Sequence, residues 1–352
     1  MKIALVSPYD FVYPGGVNNH ITALEKQLSK MGHQVKVIAP ASEPVGTFGE
    51  RFIAIGKPRP MPVSGTTIRI SISLRLASKI KEVLEREKFD IVHLHEPFMV
   101  MLCSATLRFS KSVNIGTFHA TKGKPGYNWG WPVSRLMIKR RCRKLAGRIA
   151  VSRPAMEYAA KYVPGQFEII PNGIDLDNFS SEVPKIEKFK DGKMNILFVG
   201  RLEKRKGLKY LIDAYSRVKN EFPDSRLIVV GPGTRFLGKY KKQVCDYGLK
   251  DVHFIGPVSD SQLPGYYNTA DIFCAPATGQ ESFGIVLLEA MACGKPIIAS
   301  NIEGYASVMT DGKEGLLVKP KSAADLAEAL RVLMVDEELR KQMGERGIIT
   351  AK

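Results

Sequence analysis

The chain has 352 residues, and at roughly 100–200 residues per domain that length favours two domains. Its apolar runs are shorter than the about 18 residues that span a bilayer, and its five cysteines show no disulfide or zinc-site spacing. The net charge of +17 favours polyanionic partners such as nucleic acid, anionic lipid or phosphorylated ligands, although a lysine-rich soluble surface explains it equally well.

Short apolar, β-branched runs alternate with stretches of helical periodicity in the first half of the chain. The run at Lys2–Ser7 is too short for a secretory signal, so we expect a cytoplasmic protein. Helices are predicted at His20–Met31 and Ser73–Glu87. The predicted strands are Lys2–Ser7, Gln34–Pro40, Asp90–His95, Asn114–His119, Arg148–Ser152 and Glu168–Pro171. Apolar strands that alternate with helices predict a parallel sheet covered on both faces.

A polar stretch at residues 175–193 interrupts this pattern, and we predict a linker there between domains at residues 1–174 and 194–352. Further helices are predicted at Leu208–Glu221 and Ser322–Val335. The strands predicted for the second domain are Met194–Gly200, Arg226–Gly231, Val252–Gly256, Ile272–Pro276, Pro296–Ser300 and Gly315–Val318. The expected fold class is α/β, with two tandem doubly wound, Rossmann-like domains. Because ligands bind at the carboxyl ends of such strands, we expect the domains to face each other across a cleft.

Two adjacent glycines, Gly15 and Gly16, lie between the first predicted strand and a helix. Glycine lets backbone N–H groups approach a ligand closely, and the positive end of the helix dipole favours phosphate there. An ordinary tight turn has the same composition, so both interpretations stay open. No Gly-x-Gly-x-x-Gly motif follows the strand, which argues against a nicotinamide-dependent oxidoreductase.

Four cations, Arg201, Lys204, Arg205 and Lys206, follow the first predicted strand of the second domain. Arginine presents a planar fork and lysine a point charge, and both neutralise phosphate. A solvated basic loop is the alternative, but the position between a strand and a helix favours a ligand site. Further along the chain, the glycine-containing segment that ends at Tyr240 is not a P-loop, because Tyr240 stands where that motif needs the Ser or Thr that holds magnesium.

Glu281 and Glu289 flank the start of a predicted helix, Gly284–Cys293, that is otherwise almost wholly apolar. A carboxylate on such a helix is partly buried and needs a partner, and the paired hydroxyls of a ribose are one sensible partner. A structural role for Glu289, capping a neighbouring loop, is the alternative. The spacing predicts that both carboxylates face one ligand near the helix N-terminus.

His93 and His95 alternate on a predicted strand, in a pattern that metal sites also show. The sequence indicates no third ligand, and Glu96-Pro97 ends the strand. We therefore expect these histidines to line the cleft or to be structural. We expect no metal ion and no cofactor.

Residues 122–144 combine many cations with both tryptophans of the chain, and they contain no acidic residue. Aromatic side chains beside basic ones suit the interface of an anionic lipid surface. The alternative is a helix with a solvated basic face and with aromatic residues packed on the domain. We expect this segment to contact the membrane.

A set of motifs spans nearly the entire chain, and their order is that of a known family. The motifs are Pro14-Gly-Gly-Val17, His93-Leu-His-Glu-Pro97, Thr117-Phe-His119, Arg148-Ile-Ala-Val-Ser152, Ile170-Pro-Asn-Gly-Ile-Asp175, Gly200-Arg201 with Arg205-Lys206-Gly207, and Glu281-x7-Glu289. With them the chain resembles the retaining family 4 glycosyltransferases of the two-domain GT-B fold, and among these the bacterial phosphatidylinositol mannosyltransferases. The Glu-x7-Glu segment is specific for the superfamily and less so for the acceptor.

The resemblance implies a role for each matching residue. The implied donor-binding residues are Gly16, Arg201, Arg205, Lys206, Glu281, Phe283, Gly284, Ile285 and Glu289, and the implied acceptor-binding residues are Asn18 and Arg69. The catalytic group comprises His119, Arg201, Lys206 and Glu281. In it, Arg201 and Lys206 hold the diphosphate, while His119 contacts the sugar near the anomeric centre. Glu281 binds sugar hydroxyls and is not a glycosidase-type nucleophile, and Glu289 binds the ribose.

The activity that the resemblance implies is transfer of a hexose, mannose from GDP-mannose, to a phosphatidylinositol-type lipid at the inner face of the cell membrane. No metal is needed, because cations do the electrostatic work. Phe98 stands where the family commonly has Asn, and Ala120 where it has Thr, so a soluble sugar or polysaccharide acceptor stays open. A non-catalytic nucleotide-binding protein is a further alternative. A nucleic-acid binder is disfavoured, since no recognition motif accompanies the charge.

The resemblance also implies one more C-terminal helix that crosses back to the first domain. No such helix follows Lys352 in this sequence. We therefore expect the chain to be truncated, and we expect that truncation to bear on its activity.

Overall fold

The computed structural model describes residues 1–13, 15–63, 66–73, 75–99, 101–121, 136 and 139–352. Most of the basic segment at 122–144 lies outside the described residues, and its predicted membrane contact stays a prediction. The chain divides into two compact units, Met1–Asn172 (unit 1) and Gly173–Lys352 (unit 2). No helix in the described part of the chain is long and apolar enough to cross a membrane.

Unit 1 contains a seven-stranded parallel sheet of order β3-β2-β1-β6-β7-β8-β9 and a separate antiparallel hairpin, β4-β5. The strands are β1 (Lys2–Val6), β2 (Gln34–Ala39), β3 (Phe52–Ala54), β4 (Pro58–Val63), β5 (Thr66–Ser71), β6 (Ile91–His95), β7 (Val113–Phe118), β8 (Leu145–Ala150) and β9 (Glu168–Ile169). The helices include α1 (Gly16–Lys30), α2 (Leu76–Glu87), α3 (Leu102–Phe109) and α4 (Arg153–Ala160), and a 3-10 helix spans Gly46–Arg51.

Unit 2 contains a six-stranded parallel sheet of order β12-β11-β10-β13-β14-β15. Its strands are β10 (Met194–Val199), β11 (Ser225–Val230), β12 (Val252–Gly256), β13 (Ile272–Ala275), β14 (Ile297–Ser300) and β15 (Gly315–Val318). Its helices are α5 (Leu208–Val218), α6 (Leu237–Asp246), α7 (Leu263–Thr269), α8 (Ile285–Ala292), α9 (Glu303–Ala306), α10 (Ala323–Val335) and α11 (Glu337–Ala351), and 3-10 turns span Glu187–Phe189 and Lys204–Lys206.

The residues of β1 show why both faces of the first sheet are covered. Ala4 and Val6 pack into one buried cluster, whereas Ile3 and Leu5 pack into another on the opposite face. Side chains alternate between faces along a strand, so a strand that is apolar at every position needs a packed layer on each side. The predicted α/β class with two doubly wound parallel sheets is confirmed.

Part of the segment that the sequence predicts as a linker is fastened to unit 2. The side-chain amide of Asn268 donates to the carbonyl oxygens of Ser180 (2.7 Å) and Val183 (2.8 Å). The backbone N–H of Ile186 donates to the Thr269 hydroxyl at 2.8 Å. These bonds hold residues 180–186 against α7.

Candidate functional site

The centre of the second sheet is its topological switch point. There β10 pairs with β13, while the chain continues from β10 to one side of the sheet and from β13 to the other. Ligands bind outside the carboxyl ends of strands at such a point. The loops that leave these two ends carry the cations at 201–206 and the carboxylate at 281, so the sequence-predicted donor residues of unit 2 lie at the expected edge.

Close backbone approach shapes the loop after β10. Gly231 lies against this loop, where a Cβ would come within 2.2 Å of the Gly200 carbonyl oxygen. Gly207 has a φ of +76°, and a Cβ there would meet the Pro276 carbonyl oxygen at 1.8 Å. Only glycine fits such positions. The loops after β10 and β13 therefore run in direct contact, and a bond from Thr278 N–H to the Arg205 carbonyl (2.7 Å) fixes their register.

Three cations and two carboxylates of these loops form one network. Oε1 of Glu281 accepts from Nζ of Lys206 at 2.9 Å and from a guanidinium nitrogen of Arg205. Nε of Arg205 donates to Glu203 at 3.0 Å, and Arg201 lies 3.3 Å from the other oxygen of Glu203. Arg205 thus bridges both carboxylates, and one positive charge remains in excess. That excess suits an anionic ligand.

The network determines the charge state of its members. Burial alone raises the pKa of the Glu281 carboxyl, but the charges of Lys206 and Arg205 outweigh burial and leave that pKa lowered. Burial lowers the pKa of Lys206 and of Arg201. A further anion bound nearby would counteract this lowering, because it favours the charged form of both side chains. Arg201 has the most exposed side chain of the three cations, at 39%, and is therefore the most accessible of them to solvent.

The N-terminus of α8 supplies backbone donors beside Glu281. Gly284 has a φ of +104°, and a Cβ there would lie 2.7 Å from the buried ring of Tyr305. In the described part of the chain, no acceptor is bonded to the N–H groups of Phe283 and Gly284. Together with the N–H groups of Ile285 and Val286, the first two of α8, they form a set of unpaired donors at the positive end of the helix dipole.

Glu289 lies inside α8, and its side chain has one protein partner. The residue is 7% exposed, and its Oε2 accepts a 2.6 Å hydrogen bond from the Tyr267 hydroxyl. Burial raises the pKa of this carboxyl to about 7. The charge of Lys206 acts on both Glu289 and Glu281, so one cation is within electrostatic reach of the two carboxylates. No donor among the described side chains and backbone groups reaches Oε1 of Glu289.

In unit 1, the predicted phosphate-contacting turn opens α1. Gly15 and Gly16 are exposed, and a Cβ at Gly15 would meet nothing within 4 Å. The first N–H groups of α1 have no intrahelical partners. The role of Gly16 toward a phosphate stays a prediction.

The two residues that the sequence assigns to the acceptor have partners within unit 1. Asn18 is buried, with its amide donating to the carbonyls of Asp10 (2.9 Å) and Tyr13 (3.1 Å) while its oxygen accepts from Ser7 (2.9 Å). These bonds occupy both amide N–H donors of Asn18 and brace the turn before α1. Arg69 stacks its guanidinium 3.8 Å from the Tyr13 ring centroid. Both acceptor roles stay predictions.

His119 follows β7 and is held by Glu96, a residue that the sequence did not single out for the site. Oε1 of Glu96 accepts the backbone N–H groups of His119 (2.5 Å) and Ala120 (2.6 Å). Burial raises the pKa of Glu96 to about 7, against the opposing effect of these two bonds. Glu96 has a φ of +55°, which is rare outside glycine, and its place in the His93–Pro97 motif was the available signal.

Three histidines come together at this end of unit 1. Nδ1 of His95 lies 3.1 Å from Nε2 of His119, and the His20 ring centroid lies 5.4 Å and 5.2 Å from theirs. The sequence indicated no third ligand beside His93 and His95. The structure groups His95 with His20 and His119, which α1 and the end of β7 bring next to β6, and His93 is not part of that group.

Phe98, one of the two departures from the family pattern, packs in an aromatic cluster. Its ring centroid lies 4.9 Å from that of Phe118, 5.6 Å from Tyr162 and 6.2 Å from Tyr158. The ring therefore contributes to the core of unit 1 where an asparagine would present a polar group. Ala120 donates to Glu96 through its backbone, which any residue there could do.

Two family models match consecutive parts of the chain. The family described as Glycosyltransferase Family 4 matches residues 14–178, and the family described as Glycosyl transferases group 1 matches residues 179–349. A phosphatidyl-myo-inositol mannosyltransferase of Mycobacterium leprae is 34% identical over 97% of this chain and 90% of its own length. The protein of the same name in Mycolicibacterium smegmatis is 33% identical over 97% of this chain and 86% of its own.

More distant relatives and solved structures agree with the fold. A glycogen synthase of Mycobacterium tuberculosis is 27% identical over 96% of this chain and 86% of its own. Sucrose-phosphate synthase of Thermosynechococcus elongatus superposes with a TM-score of 0.79 at 21% identity, covering 99% of this chain and 94% of the other. The Anabaena protein HepE, crystallised with UDP and glucose, gives 0.80 at 20% identity, covering 100% and 94%. The chain therefore belongs to the family 4 glycosyltransferases and has their GT-B fold.

Proposed function

We propose that the protein is a retaining hexosyltransferase that transfers mannose from GDP-mannose to a phosphatidylinositol-type lipid. The observation that carries this proposal is the network of Arg201, Arg205 and Lys206 around Glu281 at the switch point of unit 2. It combines an excess positive charge for a diphosphate with an ionised carboxylate for sugar hydroxyls. The choice of mannose and of the lipid rests on the names of relatives at 33–34% identity.

The donor half of the reaction follows from the charges of unit 2. Arg201 and Lys206 neutralise the diphosphate, and their effect is largest as negative charge develops on the leaving oxygen. The N–H groups of Phe283 and Gly284 donate to the sugar, and Glu281 accepts from its hydroxyls. Oε1 of Glu289 accepts a ribose hydroxyl beside Ile285, while Tyr267 holds Oε2.

The same network argues against a covalent enzyme intermediate. Glu281 is engaged by two cations, so its carboxylate is a poor nucleophile. In the step that we propose, the bond from the anomeric carbon to the diphosphate breaks and a bond to the acceptor oxygen forms on the same face. The acceptor proton passes to the leaving diphosphate. The cations of the loop do the electrostatic work that a bound metal does elsewhere, so the transfer needs no metal.

Unit 1 carries the acceptor half in this proposal. Arg69 meets the lipid phosphate beside Tyr13, Gly16 presents the α1 N-terminus to the donor phosphate, and His119 contacts the sugar. Asn18 takes part through the turn that it braces. The basic segment at 122–144 contacts anionic lipid, which places the protein at the inner face of the cell membrane. A soluble sugar or polysaccharide acceptor is the second candidate, because a glycogen synthase is 27% identical over 96% of the chain.

A transfer assay tests both the proposed donor and the proposed acceptor. Radiolabelled nucleotide-sugars are offered with phosphatidylinositol vesicles, with soluble glycans, or with neither acceptor. We expect label in the lipid with GDP-mannose, insensitive to a chelator, and co-sedimentation with anionic vesicles. Label in a soluble glycan and no vesicle binding would select the second candidate. Binding of a nucleotide-sugar without hydrolysis or transfer under every condition would leave only the non-catalytic alternative.

A further inference from the structure

The three-histidine cluster of unit 1 has a property that sugar transfer does not use. His20, His95 and His119 each offer one ring nitrogen, and these three atoms all lie within 4.8 Å of one another. Two nitrogens on a tetrahedral Zn²⁺, each about 2.0–2.1 Å from the ion, lie about 3.3–3.4 Å apart. Nδ1 of His95 and Nε2 of His119 are 3.1 Å apart, so this pair is already near that spacing.

The cluster is open to solvent on one side. His20 lies in the second turn of α1 and is only partly buried, and it makes no hydrogen bond with another described residue. Its ring already lies edge-on against the other two, with centroids 5.4 Å from that of His95 and 5.2 Å from that of His119. The partly exposed His20 thus provides an entry path, and a change of its rotamer would bring the third nitrogen to an ion, while β6 and the end of β7 hold the other two rings.

The chemistry of the three rings also fits. Burial lowers the pKa of His20 to about 4 and lowers the pKa of His95 and of His119 well below the ordinary value. Neutral imidazole is the form that binds a metal, so no charge has to be removed first. Imidazole suits Zn²⁺ among other transition metals, whereas Mg²⁺ and Ca²⁺ prefer oxygen ligands.

We propose that His20, His95 and His119 form a binding site for one Zn²⁺ ion, with the fourth position open to water or a ligand oxygen. The site goes beyond the proposed transfer and does not depend on it. If His119 also contacts the donor sugar, the ion and the sugar compete, and Zn²⁺ inhibits transfer without being needed for it. That consequence rests on the proposed function, whereas the binding itself does not.

Direct binding tests the site without an activity readout. The chain is stripped with a chelator, dialysed against Zn²⁺, and its metal content is measured, in a Cys245→Ser background because Cys245 is the exposed cysteine among the five. We expect one Zn²⁺ per chain, a raised melting temperature, and with Co²⁺ the visible absorption of four-coordinate ligation. Residues outside the described part of the chain include no His, Cys, Asp or Glu that could substitute as a ligand.

His20→Ala is the decisive variant, because a partly exposed helical position tolerates alanine. We expect its Zn²⁺ affinity to fall at least about tenfold, since loss of even an outer-shell partner costs that much. His33→Ala, a change of the same kind elsewhere in unit 1, should bind like the parent. Parent-like binding by His20→Ala, or no stoichiometric binding by the parent, would overturn the proposal. If His20→Ala unfolds, His20→Asn gives the same comparison.

Discussion

The hydroxyl of Tyr267 on α7 donates a 2.6 Å hydrogen bond to Oε2 of Glu289 on α8, and both side chains are buried. A buried carboxyl needs hydrogen-bond partners, and here the protein supplies one of its two oxygens with a donor. The other oxygen is the one that the proposed ribose contact uses. Tyr267 therefore fixes the direction in which Glu289 presents its accepting atom.

Tyr267→Phe removes that donor with almost no change of shape. We expect the free energy of unfolding to fall by about 1–2 kcal/mol, because a buried acceptor loses its partner. We also expect weaker binding of the nucleotide-sugar, since Glu289 is harder to ionise and less well oriented. Urea unfolding and titration calorimetry measure the two effects. Tyr266→Phe on the same helix is the matched control, and equal losses in both variants would contradict the assigned role.

The affinity for a nucleotide-sugar should depend on pH through Glu289. Burial raises the pKa of this carboxyl from 4.5 to about 7, so the folded protein holds a proton there that the unfolded chain releases. Its contribution to stability is complete below pH 4.5 and is lost as the pH rises through about 7. Sugar hydroxyls donate to the ionised form, so we expect affinity to increase as the pH rises past 7. Calorimetry across this range should show a flat profile for Glu289→Gln, and an unchanged slope in that variant would assign the effect elsewhere.

The sequence predicted every strand of the parallel sheets except β3, because these strands are short and largely apolar. It missed β4 and β5, since Pro58, Pro60 and Pro62 read as breakers. A two-stranded hairpin accepts them, because a proline that lacks a donor fits an edge strand. The succession of apolar runs along the sequence therefore predicts the central strands of a sheet well and hairpins with edge strands poorly.

The proposed donor residues could be selected from the sequence because they lie within short segments after two strands. The partners that define their chemistry were not. Tyr267 bonds Glu289 and Glu96 holds His119, each across more than 20 residues of chain, a separation that no local pattern reports. The His20 contact depends on packing of α1 beside β6 for the same reason.

The excess cation of the unit 2 network gives a quantitative prediction. Removing the side chain in Arg201→Ala or in Lys206→Ala should lower kcat by about 10²–10³, or about 2.7–4 kcal/mol, as loss of one preorganised donor to a developing oxyanion does. Lys204 lies in the same 3-10 turn as Lys206 and is exposed. The control variant Lys204→Ala should therefore keep the parent kcat within a small factor. Rates are measured at saturating donor. Equal kcat in Lys204→Ala and Lys206→Ala would show that general charge, and not the contact with Glu281, matters.

The unpaired donors before α8 depend on the conformation of Gly284. Gly284 and Gly312 both lie in unit 2 and have positive φ values, +104° and +75°. Alanine is strained at both, but only at Gly284 does the added Cβ meet a neighbour, the ring of Tyr305 at 2.7 Å. Nothing lies within 4 Å of the corresponding position at Gly312.

We therefore expect Gly312→Ala to show the backbone cost alone, about 1–2 kcal/mol of unfolding free energy with donor affinity retained. Gly284→Ala should lose more stability and should also bind the nucleotide-sugar more weakly, because the buried Tyr305 ring resists displacement and the Phe283 and Gly284 N–H groups turn away from the ligand. Unfolding curves measure the loss of stability in both variants, and calorimetry measures the loss of nucleotide-sugar affinity. Retained donor affinity in a folded Gly284→Ala protein would mean that these backbone donors do not contact the sugar.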